Sequence, residues 1–280
     1  MRFQPDLLGS GVFTGRFDLE TAYAAADEAG VTVREELERI GYLGEAPCEP
    51  RDLHCYLELH VEQGPVLDDA GRSVAVVEAV YGFTWLAVEL RGQADHAGPT
   101  PMDSRRDALV GASDVVTAVR RLAPALDEDA VGTVGNLTVE PGGVNVVPET
   151  VAFTVDLRAP EADVIETAVE QVREEVRWAA RREGLDSDVE QLMHVPPSAF
   201  DPDLVGLLAD AADDAGYDPL RMDSGAGHDA GYLARLCPTG MVFVPSVDGI
   251  SHSEDEFTEW EDVVAGVEVL REAVERKATE

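Results

Sequence analysis

The middle of the chain carries a regular succession of apolar patterns. Between Phe83 and His194 the spacing predicts the order βαββαβ, with helices over 103–122 and 161–183 separated by strands such as TWLAVELRG and TVAFTVDLR. This order is typical of the ferredoxin-like arrangement, in which two helices cover one face of a four-stranded antiparallel sheet. We therefore expect a small self-contained domain over residues 82–193.

The two flanks of this domain alternate helices and strands in the α/β manner. Residues 17–41 are predicted to form two helices broken near Gly30, and YLELHV, which alternates apolar and polar residues, is predicted to be a strand that stops at a Gly-Pro pair. Further elements are predicted downstream: a helix over 202–216, a short helical piece over 231–236, a buried strand over 239–246 and an amphipathic helix over 260–277. We expect residues 1–81 and 194–280 to form one larger α/β domain that carries the small domain as an insertion.

Composition narrows the class of protein. Of the 280 residues 45% are hydrophobic, and the mean hydropathy of -0.11 is too low for a membrane protein. The sequence contains no run of about 18 apolar residues that could span a bilayer, and MRFQPDLLGS lacks the layout of a signal peptide. We expect a cytoplasmic protein. The cysteines, which lack CxxC spacing, are expected to be reduced and to act as small hydrophobic residues; they are Cys48, Cys55 and Cys237.

The charge balance excludes two classes of partner. The chain has 21 basic and 56 acidic residues, a net charge of -35, which repels nucleic acids and anionic membrane surfaces. The acidic residues are spread over the whole chain, and Lys277 is its only lysine. This pattern is typical of a salt-adapted, halophilic surface and predicts a requirement for salt.

Four of the six histidines lie in polar segments beside predicted strands or helices. His60, near Glu58, lies at the end of a predicted strand and fits either a metal ligand or a structural histidine; His252 follows a buried strand and fits either a metal ligand or a solvated loop residue. His96 lies in a polar turn before a helix, where a functional role and a hydrogen bond at the helix start are equally consistent. His228 follows the small residues of SGAGH. Such residues suit either a tight turn that leads into a helix or a loop whose backbone comes close to a ligand. His54 and His194, which have no convergent polar neighbours in sequence, are expected to be structural.

Several enzyme classes are not supported. GGVNVVPE matches neither a dinucleotide-binding loop nor a phosphate-binding P-loop, and Ser224 does not lie in a GxSxG nucleophile elbow, which argues against a serine hydrolase. Arg158, near the end of a strand in an acidic protein, could bind a carboxylate in a bidentate manner or form an ordinary ion pair.

Taken together, five motifs resemble those of the hydantoinase/carbamoylase amidase family of the M20 metallopeptidase superfamily. They are LELHVEQGPVL, GQADHAGPTPMDSRRDAL, PGGVNVVPE with TVDLR, MDSGAGHDA and PSVDGISHSEDE, in that order along the chain. The group includes N-carbamoyl-L-amino-acid hydrolases, allantoate amidohydrolases and β-ureidopropionases. The resemblance implies an α/β catalytic domain interrupted by a ferredoxin-like lid that forms a homodimer.

The resemblance also implies roles for individual residues. His60 and His252 match histidines that bind two different divalent metal ions, Zn, Mn, Co or Ni. His96 matches a lid histidine that polarises the scissile carbonyl or ureido oxygen. Three further residues match groups that line the cavity or hold the carboxylate of a small substrate, and two glycines match positions where the backbone approaches that substrate. These are Gln63, Asn145, Arg158, Gly225 and Gly227.

The earlier metal-site motifs of the family have no counterpart in the sequence. The bridging aspartate, one histidine, a ligand glutamate and the general-base glutamate are missing, because Met1 stands where those motifs end. Three explanations follow: a fragment, a chain that assembles with a separately encoded N-terminal half, or a lid module without catalysis. We expect the intact enzymes of this lineage to hydrolyse linear amide or ureido C–N bonds. We expect this isolated chain to have negligible turnover. The alternative is a non-catalytic remnant that dimerises and binds small molecules.

Overall fold

A computed structural model describes residues 2–279 and shows a mixed α/β architecture. The chain forms two compact units, one made from the segments up to Val80 and from Ser198 onward, the other comprising Tyr81–Pro197. The second unit extends beyond the predicted limit at residue 193, because the pairing of its last strand continues to Val195, which lies opposite Phe83. Residues 1 and 280, the predicted ends of the outer domain, lie outside the described residues.

The helices within residues 2–279 are α1 (Leu8–Phe13), α2 (Leu19–Ala24), α3 (Val33–Ile40), α4 (Val66–Ala70), α5 (Ala108–Leu126), α6 (Ala162–Glu183), α7 (Pro202–Asp214), α8 (Asp229–Leu233) and α9 (Trp260–Lys277). Helices α2, α3, α6, α7 and α9 lie close to the positions expected from the apolar spacing, whereas α1 was not predicted. Short 3-10 segments occupy Met102–Ser104 and Val247–Gly249. None of the helices within residues 2–279 combines the length and apolar character needed to cross a bilayer.

The strands within residues 2–279 belong to three sheets. They are β1 (Tyr56–Val61), β2 (Ala75–Val80), β3 (Gly82–Arg91), β4 (Asp95–His96), β5 (Val131–Glu140), β6 (Val146–Val147), β7 (Thr150–Ala159), β8 (Asp186–Val195), β9 (Ser198–Ala199), β10 (Leu220–Ser224) and β11 (Thr239–Val244). Sequence patterning did not predict β2, β10 or the two-residue strands β4, β6 and β9.

The first unit is built on a mixed sheet of order β1-β11-β2-β10, with β9 paired to the end of β2. β1 runs parallel to β11, and β2 runs antiparallel to β11. Successive side chains of a strand point to opposite faces. On one face, Leu59 of β1 lies against Gly266 of α9, and Leu204 and Leu208 of α7 lie against Gly240 of β11. Helices α7 and α9 therefore cover this face, and α8 contacts β1 and β11.

The second unit confirms the ferredoxin-like expectation. Its four strands are all antiparallel and follow the order β5-β7-β3-β8, with α5 and α6 packed on the sheet. A core of buried apolar residues fills the space between helices and sheet; it includes Leu86, Val115, Phe153 and Val172. Because this core draws only on residues 81–197, the unit has an apolar interior of its own.

The first lid helix begins five residues later than the apolar pattern predicts, at Ala108 instead of residue 103. The carboxylate of Asp107 accepts hydrogen bonds from the backbone N–H groups of Leu109 and Val110, at 3.0 and 3.2 Å. This is an N-cap, which satisfies N–H groups that the first turn of a helix leaves without intrahelical partners. The cap sets the start of α5, and Met102–Ser104 forms a separate 3-10 turn.

Candidate functional site

Two polar side chains of β1 project from the sheet face opposite α9. Leu57 and Leu59 alternate with Glu58 and His60, so the apolar pair faces the helices and the polar pair faces the other way. The His60 Nδ1–H donates to the carbonyl oxygen of Val61 at 2.8 Å. The strand therefore supplies a carboxylate and an imidazole to the same surface.

His228 completes a group of three metal-type side chains with Glu58 and His60. One potential ligand atom from each lies within 4.8 Å of the others, and within residues 2–279 this is the one such group. His228 Nδ1 is 3.8 Å from Glu58 Oε1, and the His60 and His228 rings have centroids 4.6 Å apart. The His228 ring also contacts Phe243 of β11, with centroids 5.5 Å apart.

Burial shifts the pKa values of Glu58 and His228. It raises the pKa of the Glu58 carboxyl group, while burial and the neighbouring His60 lower the pKa of His228 to about 3. Burial also raises the pKa of Tyr56, whose hydroxyl group donates to Glu58 Oε2 at 3.1 Å. The neutral imidazole of His228 is the form that can bind a metal ion.

Gln63 and His252 are linked through a second hydrogen-bond network. Gln63 has a positive φ of 63°; its backbone N–H donates to Ser246 Oγ at 3.0 Å, and its side-chain amide donates to Ser251 Oγ at 3.2 Å. Ser251 Oγ and the His252 backbone N–H both donate to Glu256, and these bonds lower the pKa of the Glu256 carboxyl group. The structure thus brings Gln63 to the segment that carries His252, but His252 itself is exposed and lies outside the three-residue group.

Gly225 and Gly227 lie between β10 and α8, directly before His228. Gly225 is exposed and Gly227 is half-buried. Ser224, which ends β10, is buried, and its hydroxyl oxygen is 2.8 Å from His228 Nε2. This short segment carries His228 from β10 to the face of the sheet.

In the lid, the structure places His96 beside Asn145. His96 on β4 pairs with Val146 on β6, and the Ala97 N–H donates to the Asn145 carbonyl oxygen at 2.9 Å. The Gly98 N–H donates to His96 Nδ1 at 3.0 Å. Because Nδ1 accepts, a neutral His96 ring carries its proton on Nε2 and has a donor to offer a substrate oxygen.

Arg158 on β7 is held on the same strand by Asp156. Its Nε and Nη2 donate to the Asp156 carboxylate at 3.0 and 2.7 Å, and its guanidinium group lies 5.5 Å from the centroid of the Phe83 ring. The ion pair that the sequence left open is therefore present, and binding of a substrate carboxylate by Arg158 stays a prediction.

Comparisons with known proteins place these residues in a family. Residues 19–276 match the model of peptidase family M20/M25/M40. The chain belongs to this family. Among its M20 relatives, an N-carbamoyl-L-amino-acid amidohydrolase of Rhizobium meliloti is 39% identical over 98% of the chain and 66% of its own length. An allantoate amidohydrolase of Bacillus subtilis is 31% identical, over 99% of the chain and 68% of its own length.

Solved structures support the same assignment. A hydantoinase/carbamoylase family amidase from Burkholderia vietnamiensis superposes with a TM-score of 0.92 at 45% identity, over 100% of this M20 chain and 68% of that structure. The resemblance noted from the five motifs is therefore confirmed. The chain spans about two thirds of the length of the relatives it matches.

The metals of the M20 family fit the donors found in the first unit. Two imidazoles and a carboxylate are ligands that zinc accepts, and three protein ligands with an open position are typical of catalytic zinc. Sequence reasoning selected His60 from this group but assigned no ligand role to Glu58 or His228. For Glu58 the signal was its position two residues before His60; for His228 it was the run of small residues, which is weak by itself.

Proposed function

We propose that the chain represents a metal-dependent hydrolase of linear amide or ureido C–N bonds in a small carboxylate-bearing substrate, of the N-carbamoyl-L-amino-acid or allantoate type. The observation that carries the proposal is the convergence of Glu58, His60 and His228 in a chain related to enzymes named for those two substrates. When bound, a divalent cation supplies Lewis-acid polarisation of the scissile bond.

The residues of the chain would bind and orient the substrate. His60 and His252 hold metal ions by family correspondence, and Gln63 lines the cavity. His96 donates from Nε2 to the oxygen that gains negative charge, a role supported by the hydrogen bond that its Nδ1 already accepts. Asn145, which precedes β6 and lies beside His96 of β4, contributes to binding of the substrate carboxylate.

Arg158 and two glycines complete the proposed binding groups. The planar guanidinium group of Arg158 suits a carboxylate, and Asp156 fixes its orientation on β7. Gly225 and Gly227 carry no side chain, so the backbone between β10 and α8 is open to a substrate.

The test is hydrolysis by the full chain at high salt, loaded with Zn, Mn, Co or Ni in turn. N-carbamoyl-L-amino acids and allantoate are the substrates, and released amino acid and ammonia are measured. The assay is run with the chain alone and with a family-type N-terminal segment added, because we expect turnover only in the second arm. Absence of hydrolysis in both arms, with metal bound and the chain folded, contradicts the proposal.

Two variants separate catalysis from binding. His96→Asn should lower kcat about 100- to 1,000-fold, the usual cost of removing one donor to a developing oxyanion. Arg158→Lys should mainly raise KM, since lysine keeps the charge and loses the bidentate geometry. His54→Asn, at an exposed position outside the site, is the matched control and should leave both parameters unchanged. An unaffected His96→Asn variant contradicts its proposed role.

We also propose that the lid forms the homodimer. Its core contains only its own residues, and β5 and β8 are the two edge strands of its sheet. Light scattering of the full chain over a salt series measures the mass, and a monomer at every salt concentration contradicts dimer formation. Binding of substrate by a dimer without turnover in any arm would favour the non-catalytic alternative.

A further inference from the structure

We propose that the groove between α5 and α6 of the lid is a docking site for an acidic segment of another protein, which places an apolar side chain on Trp178 and carboxylates on Arg177 and Arg181. The groove has a volume of about 980 Å³ and is lined by residues of these two helices. It therefore belongs to the lid unit alone. The proposal concerns protein binding, so it goes beyond the proposed hydrolysis and can be tested without a substrate.

Two ion pairs bridge the helices along the groove. Arg182 pairs with Asp114, and Arg121 Nη2 lies 3.5 Å from Glu175 Oε1. Residues 114 and 121 of α5 thus face residues 182 and 175 of α6, a step of seven residues in opposite directions, so the helices are antiparallel. Seven helical residues span about 10 Å. The walls of the groove are two helices packed on each other, which give it a defined shape.

Trp178 lies between these ion pairs on α6 and provides an apolar surface in the groove. It is 46% exposed, whereas Val172 and Val176 of the same helix are fully buried in the lid core. The Arg182 guanidinium group lies 4.8 Å from the centroid of a Trp178 ring. Tryptophan and arginine are enriched among the residues that carry most of the binding energy at protein interfaces. Covering the exposed indole with an apolar side chain is therefore favourable.

Arg177 and Arg181 line the groove on the same helix and are one turn apart. Both are exposed, and within residues 2–279 neither forms an ion pair, although the chain has 56 acidic residues. A planar guanidinium group binds a carboxylate through two parallel N–H groups. Two carboxylates of one bound segment can therefore occupy both arginines.

The charges in the groove favour an acidic occupant. Asp114 and Glu175 are engaged by the bridging ion pairs, which leaves Glu174 as the remaining lining carboxylate beside Arg177 and Arg181. The groove thus carries an excess of positive charge in a protein whose net charge is -35. A basic segment would be repelled here and attracted to the acidic surface elsewhere, whereas an acidic segment pairs with both arginines.

The open shape of the groove favours a polypeptide over a small molecule. The lining residues Arg121, Arg177 and Trp178 are exposed, so a small ligand would keep much of its surface in water, whereas ligand pockets bury most of theirs. An amphipathic segment laid along two packed helices contacts the whole length of the groove, and arginine clusters are a common means of recognising acidic motifs.

The first experiment measures binding of a synthetic amphipathic peptide to the full chain by calorimetry. The peptide carries leucine at helical spacing and glutamate elsewhere, and a second peptide has glutamine in place of every glutamate. About 1 M salt is used, because a Debye length of about 3 Å removes the long-range repulsion between the acidic peptide and the acidic protein. The glutamate peptide should bind at one site, and the glutamine peptide should bind at least about tenfold more weakly.

Substitutions in the groove should weaken binding of the glutamate peptide. Trp178→Ala should lower the affinity about 30-fold, and Arg177→Gln or Arg181→Gln should each lower it about tenfold. Arg120→Gln is the matched control, since Arg120 is an exposed arginine of α5 that does not line the groove, and it should leave the affinity unchanged.

Three results would overturn the site: no binding of the glutamate peptide, equal affinity for the two peptides, or the same loss of affinity in Arg120→Gln as in Arg177→Gln. Displacement of the peptide by an equal concentration of tripolyphosphate would refute a polypeptide occupant in favour of a small anion. A lower mass of Arg177→Gln than of the wild-type chain in light scattering would refute it in favour of a second copy. Circular dichroism checks that each variant is folded, and the two arginine variants provide the test if Trp178→Ala is not.

Discussion

Alanine substitutions at two helical glycines should differ in their effect on stability, and only one of them should stabilise the protein. Gly206 lies within α7, and no heavy atom is within 4 Å of the position that a Cβ would occupy. Gly266 lies within α9, where a Cβ would be 2.6 Å from Leu59 Cδ1 and 2.6 Å from Val244 Cγ1. Val244 is buried and has a stiff side chain, so it has little freedom to move away.

The two free-energy changes can be worked out from this difference. Alanine is about 1 kcal/mol more favourable than glycine in a helix interior, so Gly206→Ala should raise the free energy of unfolding by about 1 kcal/mol. The same gain applies at Gly266, but overpacking a close-packed interior costs about 1–3 kcal/mol. Gly266→Ala should therefore be neutral to about 2 kcal/mol destabilising, and the two variants should differ by about 1–3 kcal/mol.

Urea unfolding at fixed high salt measures the free energy of unfolding of both variants. Hydrogen exchange at the amides of β1 shows whether the change in stability lies within the first unit. Gly266→Ala should also weaken zinc binding, because Leu59 belongs to the strand that carries Glu58 and His60 on its other face. Equal stabilisation by both substitutions would refute the packing of α9 on β1, since only a gap at Gly266 could accommodate the extra methyl group.

Three further predictions concern folding and charge. A fragment of residues 81–197 should fold alone at high salt, where the Debye length falls to about 3 Å near 1 M and self-repulsion is screened; a disordered circular dichroism spectrum there contradicts this. Phe153→Ala, at a position 3% exposed in the lid core, should destabilise the lid by about 3–5 kcal/mol in urea unfolding, and a loss below about 1 kcal/mol would be inconsistent with that burial. Hydrogen bonds from Arg39 and Arg2 lower the pKa of Glu36 from 4.5 to about 2, so its contribution to stability is complete above pH 4.5 and is lost as the pH falls toward 2. Carbon NMR should show a low midpoint that rises in Arg39→Gln, and an unchanged midpoint would exclude that ion pair as a cause.

The lid fold and the family could be predicted from the sequence because both depend on local patterns. The periods of apolar residues define the βαββαβ order without any knowledge of partners, and that order permits few arrangements. Alternation in YLELHV likewise predicts that Glu58 and His60 share a face of their strand. Once this segment is identified as a strand, the relative orientation of Glu58 and His60 follows without any tertiary information.

Only the tertiary structure decided that His228 joins them. His228 lies more than half the chain away in sequence, and its position depends on how the segment after β10 crosses to α8, which contacts β1 and β11. The mixed order of the first sheet, with β2 antiparallel to β11, could not be predicted from the sequence either, since apolar runs do not specify which strands become neighbours. Contacts between distant segments are fixed by packing, and no periodicity within either segment encodes which partner will lie across from it.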